Sequence, residues 1–170
     1  MDPITDLHLE HFRQLYLNER SRRETIRSSV STPVAALSFA VFAFSTLAVE
    51  IDLARWQEPV TLLILLLSAL AAAALFASAY QIFRAEWLFV YHEPPRLIDL
   101  IGDARAAEPV ENIVKRTRRV LTASYAVAYE QYLQGNALSS RSRTWALRLI
   151  LVSLLLQVAA FMLLPFHLAK

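Results

Sequence analysis

The sequence predicts an all-α integral membrane protein with three transmembrane helices. Of its 170 residues, 56% are hydrophobic and only 19% are charged, which is too apolar for a soluble domain of this size. Three long stretches contain no Asp, Glu, Lys or Arg: residues 28–49, 59–83 and 149–169. As a helix, the middle stretch would be roughly 37 Å long, against a hydrocarbon core of about 30 Å. A helix also satisfies its own backbone hydrogen bonds in lipid.

Helix-start signals and charge breaks divide the chain around these spans. Asp2-Pro3 is a plausible cap and first-turn pair for an amphipathic N-terminal helix. Ser31-Thr32-Pro33 predicts the start of the first span, with a hydroxyl cap followed by proline in the first turn. The short link from Arg55 to Glu58 makes the first two spans an antiparallel hairpin. The predicted segments are the N-terminal helix at 1–32 and spans at 33–55, 59–83 and 145–167.

Residues 84–144, between the second and third spans, are predicted to be a helical cytoplasmic region. The second span continues as a helix to Val90, until Pro94-Pro95 stops it. A short helix is predicted at 97–107. Pro109 then opens a longer helix that Gly135-Asn136 closes at about residue 133.

The distribution of Lys and Arg predicts the orientation of the chain. Residues 1–32 carry five of them and residues 84–143 carry nine, whereas the hairpin loop has Arg55 and the C-terminal end has Lys170. The positive-inside rule therefore places the N-terminal helix and the 84–144 region in the cytoplasm. The hairpin loop and the C-terminus would face outside.

The residues needed for catalysis or cofactor binding are sparse. The chain has no cysteine and only two glycines, so thiolate metal sites and glycine-rich phosphate loops are not available. His8 and His11 could share a helix face, with Glu10 between them, but no third or fourth metal ligand is apparent. The sequence therefore predicts no enzymatic activity, no metal site and no cofactor.

The strongest charged feature is a basic run in the predicted cytoplasmic helix. It consists of Lys115, Arg116, Arg118 and Arg119. Attraction to anionic lipid headgroups is the simplest interpretation, at roughly 1 kcal/mol for each basic residue near the surface. A phosphate site for a nucleotide, an RNA or a lipid headgroup is a sharper alternative, because arginine forks bind phosphate well. Contact with a partner protein is the third.

Within the spans, the informative residues are small or polar. A small-xxx-small row lets another helix approach closely, and a mid-membrane amide such as Gln157 should face another helix or water. Packing between helices is one interpretation of these positions. The other is a wet path in a homo-oligomer, because three spans in one chain enclose no channel. The positions are Ser38, Ser45, Ser68, Ala69, Ala73, Ala77, Ser153 and Gln157.

Two segments carry a resemblance to a known class. One is LNERSRRETIRSSVSTPVAALSF and the other is YAVAYEQYLQGNALSSRSRTWALRLILVSLLLQVAAF. Their order, a charged helix before the first span and a helix and basic turn before the last, resembles small multi-span membrane effectors of bacterial anti-phage defence loci. The resemblance is architectural, and no functional residue carries over. It implies a protein that stays quiet until infection and then assembles or opens to depolarise the inner membrane.

These observations lead to function hypotheses from different classes. The first is an oligomeric inner-membrane effector that permeabilises the bilayer when triggered, with the basic run as the contact for a trigger or sensor protein. The second is a membrane anchor or scaffold subunit that recruits a soluble cytoplasmic partner. A small lipid-modifying enzyme is the third, although the sequence offers no acid–base pair for it.

Overall fold

The structure is a computed structural model that describes residues 3–87, 91, 93–95 and 109–168. Three helical stretches in it are long and apolar enough to cross a membrane: Asp6–Val49, which runs through α1 and α2, Pro59–Glu86 and Val110–Leu168. No described residue lies in a β-strand. The prediction of an all-α chain with three such helices is therefore confirmed. The helices are α1 (Pro3–Ser28), α2 (Ser31–Val49), α3 (Pro59–Trp87) and α4 (Val110–Leu168), with a short 3₁₀ turn at Leu53–Arg55.

The chain divides into two compact units. The first, which we call the tyrosine unit, comprises the described residues of 1–28 and 89–138. The second, the span unit, comprises those of 29–88 and 139–170. Helix α1 belongs to the tyrosine unit, α2 and α3 belong to the span unit, and α4 contributes to both.

Helix α4 is continuous for 59 residues, so the predicted helix end at Gly135-Asn136 is wrong. No described glycine has the positive φ of a helix-terminating glycine. The Asn136 side chain does not cap the helix. Its Nδ2 donates to the carbonyl oxygen of Glu19 and to Glu19 Oε2, both at 2.8 Å. Asn136, which the local pattern predicted to end the helix, therefore makes a tertiary hydrogen bond instead.

The first span differs from its prediction at both ends. Helix α2 ends at Val49, before the predicted end at residue 55, and Glu50 N–H bonds the Leu47 carbonyl there. The Asp52 carboxylate then accepts from Ala54 N–H at the start of the 3₁₀ turn. At the beginning, the N-cap is Val30, which has helical dihedral angles and makes no side-chain cap bond, so the predicted hydroxyl cap is absent.

The second span and the segment after it are partly described. Helix α3 is helical through Trp87, and the predicted extension to Val90 lies outside the described residues, as does the predicted helix at 97–107. Pro94 and Pro95 are described and lie outside any helix. Pro109 directly precedes α4 as predicted, and its carbonyl accepts from Asn112 N–H at 2.9 Å.

The tyrosine unit is built from α1 running parallel to the first half of α4. Tyr16 of α1 packs in a core cluster with Ala128 and Tyr132 of α4. Toward one end of this contact, Arg118 pairs with Asp6 at 2.7 Å, and toward the other Asn136 bonds Glu19. Helix α1, predicted as a solvated or interfacial helix, therefore has a buried aromatic partner.

The span unit packs its three apolar helices around two small core clusters. Leu47 of α2, Ile64 of α3 and Ala160 of α4 meet in one cluster, and each is fully buried. A second cluster joins Ala40 and Leu75 to Ile150. The outward-facing residues of these helices remain strongly apolar, as at Phe42, Phe76 and Met162. Such a surface suits lipid rather than water.

Candidate functional site

A row of small residues at seven-residue spacing joins α3 and α4 in antiparallel register. Each step of seven along α4 is matched by a step of seven backward along α3. Three serine hydroxyls donate across this row: Ser139 Oγ to the Ala85 carbonyl at 2.7 Å, Ser78 Oγ to the Ala146 carbonyl at 3.1 Å, and Ser153 Oγ to the Ala71 carbonyl at 3.0 Å. We call these residues, together with Ile64 and Ala160, the heptad seam.

The small side chains of the heptad seam explain its geometry. A serine hydroxyl reaches a carbonyl of a neighbouring helix only where the two backbones approach closely, which Ala and Ser allow. Every residue of the seam is buried. Interhelical hydrogen bonds in membrane proteins contribute about 0.6 kcal/mol on average and up to about 1.7 kcal/mol. The bonds of the seam therefore stabilise the fold only modestly, and their main effect is to fix the alignment of α3 along α4.

Gln157 of α4 connects helix α2 to this seam. Its side chain is 2% exposed, and its Nε2 donates to the Ala40 carbonyl of α2 at 3.2 Å and to Ser153 Oγ at 3.1 Å. The Ala40 carbonyl can only accept, which fixes the orientation of the amide. Ala40 O, Gln157, Ser153 and Ala71 O thus form one hydrogen-bonded chain across α2, α4 and α3.

His167 closes one end of the span unit. Its ring is fully buried, and Asp52 N–H donates to Nε2 at 3.1 Å while Nδ1 lies 2.9 Å from Thr61 Oγ1. A backbone N–H can only donate, so a neutral ring carries its proton on Nδ1 and donates it to Thr61. Arg55 Nη1 donates to the His167 carbonyl at 2.9 Å, which satisfies an otherwise orphan acceptor at the helix end.

The opposite end of the span unit is closed by Arg143. Its guanidinium donates to the hydroxyl of Ser29 at 2.9 Å and to the Ser29 carbonyl oxygen. Nearby in sequence, Arg148 lies over the ring of Trp145, with 5.5 Å to the centroid. About 33 Å of helix separates Trp145 from His167, close to the hydrocarbon thickness. Trp145 and Trp56, both exposed, suit the two interfaces of a bilayer.

Of the remaining small and polar candidates, all except Ser68 are exposed. Ser38 and Ser45 are exposed, and each hydroxyl donates to a carbonyl one turn earlier in α2, at 3.0 and 2.9 Å. Ala69, Ala73 and Ala77 are also exposed, on the outer face of α3. Ser68 is buried instead, and its Oγ has no hydrogen-bond partner among the described residues.

The basic run is partly neutralised within the tyrosine unit. Lys115 pairs with Glu111 at 3.0 Å, and Arg118 pairs with Asp6 at 2.7 Å. Arg116 and Arg119 are exposed, and neither forms an ion pair in the part of the chain that the structure describes. The four cations therefore differ in their surroundings, and only Arg116 and Arg119 present unpaired guanidinium groups there.

The core of the tyrosine unit is an aromatic cluster that was not predicted from the sequence. The Tyr16 ring meets Tyr132 edge-on at 5.4 Å and Tyr125 at 5.6 Å. Tyr91 lies 4.5 Å from Tyr132, with the Arg23 guanidinium 5.0 Å from the Tyr91 centroid. Burial raises the pKa of Tyr16 above its ordinary value of 10.0, and the neighbouring Tyr132 adds to this rise.

An open groove runs beside this cluster. It has a volume of about 550 Å³ and is lined by one face of α1, by residues 93–95 and by Leu121 and Tyr125 of α4. The lining includes charged groups of both signs. Within the described residues, no group of three or more His, Cys, Asp or Glu side chains could hold a metal ion.

The heptad seam was visible in the sequence as a spacing. Small residues recur every seven positions at 71, 78 and 85 and at 139, 146, 153 and 160. A search at four-residue spacing finds the Ala69 row instead, which the structure leaves exposed. Seven residues is the repeat of coiled-coil contact positions, and here it coincides with the buried faces of α3 and α4.

The fold and these sites define an all-α protein of the multi-pass membrane type. Comparison with protein families, curated proteins and solved structures finds no match to the chain.

Proposed function

We propose that the protein is a membrane anchor of the bacterial inner membrane that recruits a soluble cytoplasmic partner through its tyrosine unit. The observation that carries this proposal is that α1 and residues 110–138 fold into a unit with its own aromatic core and an open groove. A mere connection between spans needs no such core. The excess of Lys and Arg in residues 1–32 and 84–143 supports a cytoplasmic location for this unit.

The hydrogen bonding of the spans supports an anchoring role. Ser78, Ser153 and Gln157 use their donors within the chain, across the interfaces of α2, α3 and α4. These hydrogen bonds join α2, α3 and α4 to one another, which supports a static anchor, whereas Gln157 Oε1 and Ser68 Oγ have no partner among the described residues.

The experiment combines two independent readouts on the full-length protein. A photo-cross-linking residue at exposed Leu7 or Val127 of the tyrosine unit should give discrete adducts with a soluble protein in cells. The same residue at Phe76, exposed on α3, is the matched control and should label lipid or membrane proteins. Liposomes containing the purified protein should retain an encapsulated dye. Leaking liposomes, with adducts only between copies of the chain, would contradict the anchor function.

A second candidate function is an oligomeric effector that permeabilises the membrane, in keeping with the anti-phage resemblance. It is favoured by the exposed polar and small positions Ser38, Ser45, Ala69, Ala73 and Ala77, which are available to other copies. This function predicts dye release from a defined oligomer and a loss of release on Ala73→Leu. Ser153 and Gln157, buried inside one chain, would then act as packing residues.

A further inference from the structure

The groove of the tyrosine unit is lined by charged side chains of both signs and by apolar side chains. Helix α1 contributes Glu10, Arg13 and Arg20, and Glu93 contributes a further carboxylate. Leu17, 44% exposed, presents an apolar side chain between Arg13 and Arg20. All the lining residues belong to the tyrosine unit.

The size of the groove fits a short stretch of polypeptide. Its volume of about 550 Å³ lies within the range typical of ligand sites. Glu10 and Arg20 are ten positions apart, about 15 Å along the helix. An extended chain rises about 3.3 Å per residue, so four or five residues would cover this length.

The two arginines that line the groove form only weak ion pairs within the protein. Arg13 pairs with Glu10 at 3.4 Å and Arg20 with Glu24 at 3.8 Å, and all four side chains are about half exposed or more. Exposed pairs of this kind contribute about 0–1 kcal/mol, so a ligand carboxylate can replace the internal partner at small cost. The same exchange frees Glu10 for a ligand cation.

The balance of charges selects the class of ligand. Two carboxylates, Glu10 and Glu93, offset Arg13 and Arg20, so the lining has no net charge for a bare anion such as phosphate. A ligand with both a carboxylate and a cation complements this lining. The apolar lining residues Leu17, Leu121 and Tyr125 favour a ligand that also carries a hydrophobic group.

We propose that this groove binds an extended peptide segment of a soluble protein, with an apolar or aromatic anchor residue flanked by acidic and basic side chains. The anchor packs against Leu17 and Tyr125, while Arg13 and Arg20 bind the acidic side chain and Glu10 and Glu93 the basic one. This inference rests on the proposed anchor function and names the chemistry of the segment that it recruits.

The test is selection of a displayed library of random short peptides on the purified full-length protein. We expect enriched peptides that carry an acidic and a basic residue around an apolar one. A synthetic copy of the leading peptide should bind Arg13→Glu/Arg20→Glu about tenfold or more weakly, because two attractive charges facing its acidic side chain become repulsive ones. Arg27→Glu, exposed on the same helix outside the groove, should bind it as the natural chain does.

A charge-swapped peptide provides the rescue. Replacing the acidic residue of the peptide by lysine should restore binding to Arg13→Glu/Arg20→Glu and abolish binding to the natural chain. Enrichment of no peptide, or binding that ignores the double substitution, would overturn the proposal, and so would binding of simple aromatic anions with equal affinity. If cells still give a soluble adduct from Leu7 or Val127 and liposomes stay tight, the anchor function survives that failure.

Discussion

Ser78 Oγ on α3 donates a hydrogen bond to the carbonyl oxygen of Ala146 on α4, 3.1 Å away. Both residues are fully buried, and the bond lies between two others of the same seam in which serines of α4 donate to α3. Because donors come from both helices, neither can shift along the other by one turn without losing all three bonds. The seam therefore sets the register of the α3–α4 pair.

Substitution of Ser78 tests this close packing. Ser78→Leu inserts a large side chain where the helices approach, so we expect a loss of about 1–3 kcal/mol in the free energy of unfolding, as for overpacked cores. Ala77→Leu, at the next position but exposed, is the matched control and should change little. The measurement is denaturation in detergent micelles followed by circular dichroism. Equal effects of the two substitutions would show that the heptad seam is not a close contact between α3 and α4.

Gln157→Leu distinguishes the packing role of Gln157 from a passage-lining role. The substitution removes the donors to Ala40 O and Ser153 Oγ, and we expect a loss of about 1 kcal/mol in the free energy of unfolding. Dye retention by liposomes should not change. Ser45→Ala, which removes a hydroxyl bonded only within its own helix, is the control and should be neutral. A large change in leakage at unchanged stability would contradict the packing role and assign Gln157 to a passage.

Asn136→Ala tests whether the side chain bond to Glu19 holds α1 against α4. It removes two hydrogen bonds of 2.8 Å from a fully buried amide, and we expect a cost of about 1–3 kcal/mol. Backbone amides of α1 should then exchange hydrogen faster. Asn112→Ala, an exposed position of the same helix, is the control. Unchanged exchange in α1 would show that the tyrosine cluster suffices to hold it.

His167→Phe probes the closure between the hairpin loop and the end of α4. A phenyl ring has a similar volume but leaves Asp52 N–H and Thr61 Oγ1 without their ring partners. We expect faster protease cleavage in residues 50–58 and a lower thermal stability of the span unit. His11→Phe, an exposed position, serves as control. Equal protease resistance of both variants would show that Arg55 alone retains the loop.

We expect the free energy of unfolding to fall at alkaline pH because Tyr16 is buried in the tyrosine cluster. The pKa of Tyr16 in the folded chain is raised above 10.0 by burial, so the folded state holds this proton more tightly than the unfolded state. The contribution of Tyr16 to the free energy of unfolding is fully present below pH 10.0 and is lost as the pH rises through the raised pKa. Ultraviolet difference absorbance between the natural chain and Tyr16→Phe should show the Tyr16 phenol ionising at a pH above its ordinary pKa of 10.0. Ionisation at the ordinary value would contradict a buried phenol.

Local sequence signals worked well where a helix needs no distant partner to form. Pro109 precedes α4, and Pro3 opens α1, because the fixed φ of proline suits a first turn whatever the surroundings. They failed at Gly135-Asn136, where the side chain of Asn136 finds Glu19, a residue 117 positions away. A single-sequence pattern contains no information about that partner.

The candidate site shows the same division. The polar positions Ser153 and Gln157 could be singled out because an amide or hydroxyl in hydrocarbon must find a partner. Which partner they find depends on the relative rotation of three helices. Ser38 and Ser45 carry the same hydroxyl chemistry and remain on the outer surface, bonded only to their own helix.

Three helices long and apolar enough to cross a membrane could be predicted from the amino-acid sequence, because uncharged stretches of this length have one favourable place, the lipid interior, and one way to satisfy their backbone there. Which faces of these helices meet depends on how distant segments pack. Both the Ala69 row and the heptad seam offer small residues for close approach, and the seam is the buried one, with serine hydroxyls that reach carbonyls of the neighbouring helix. Those bonds exist only once two distant segments are side by side.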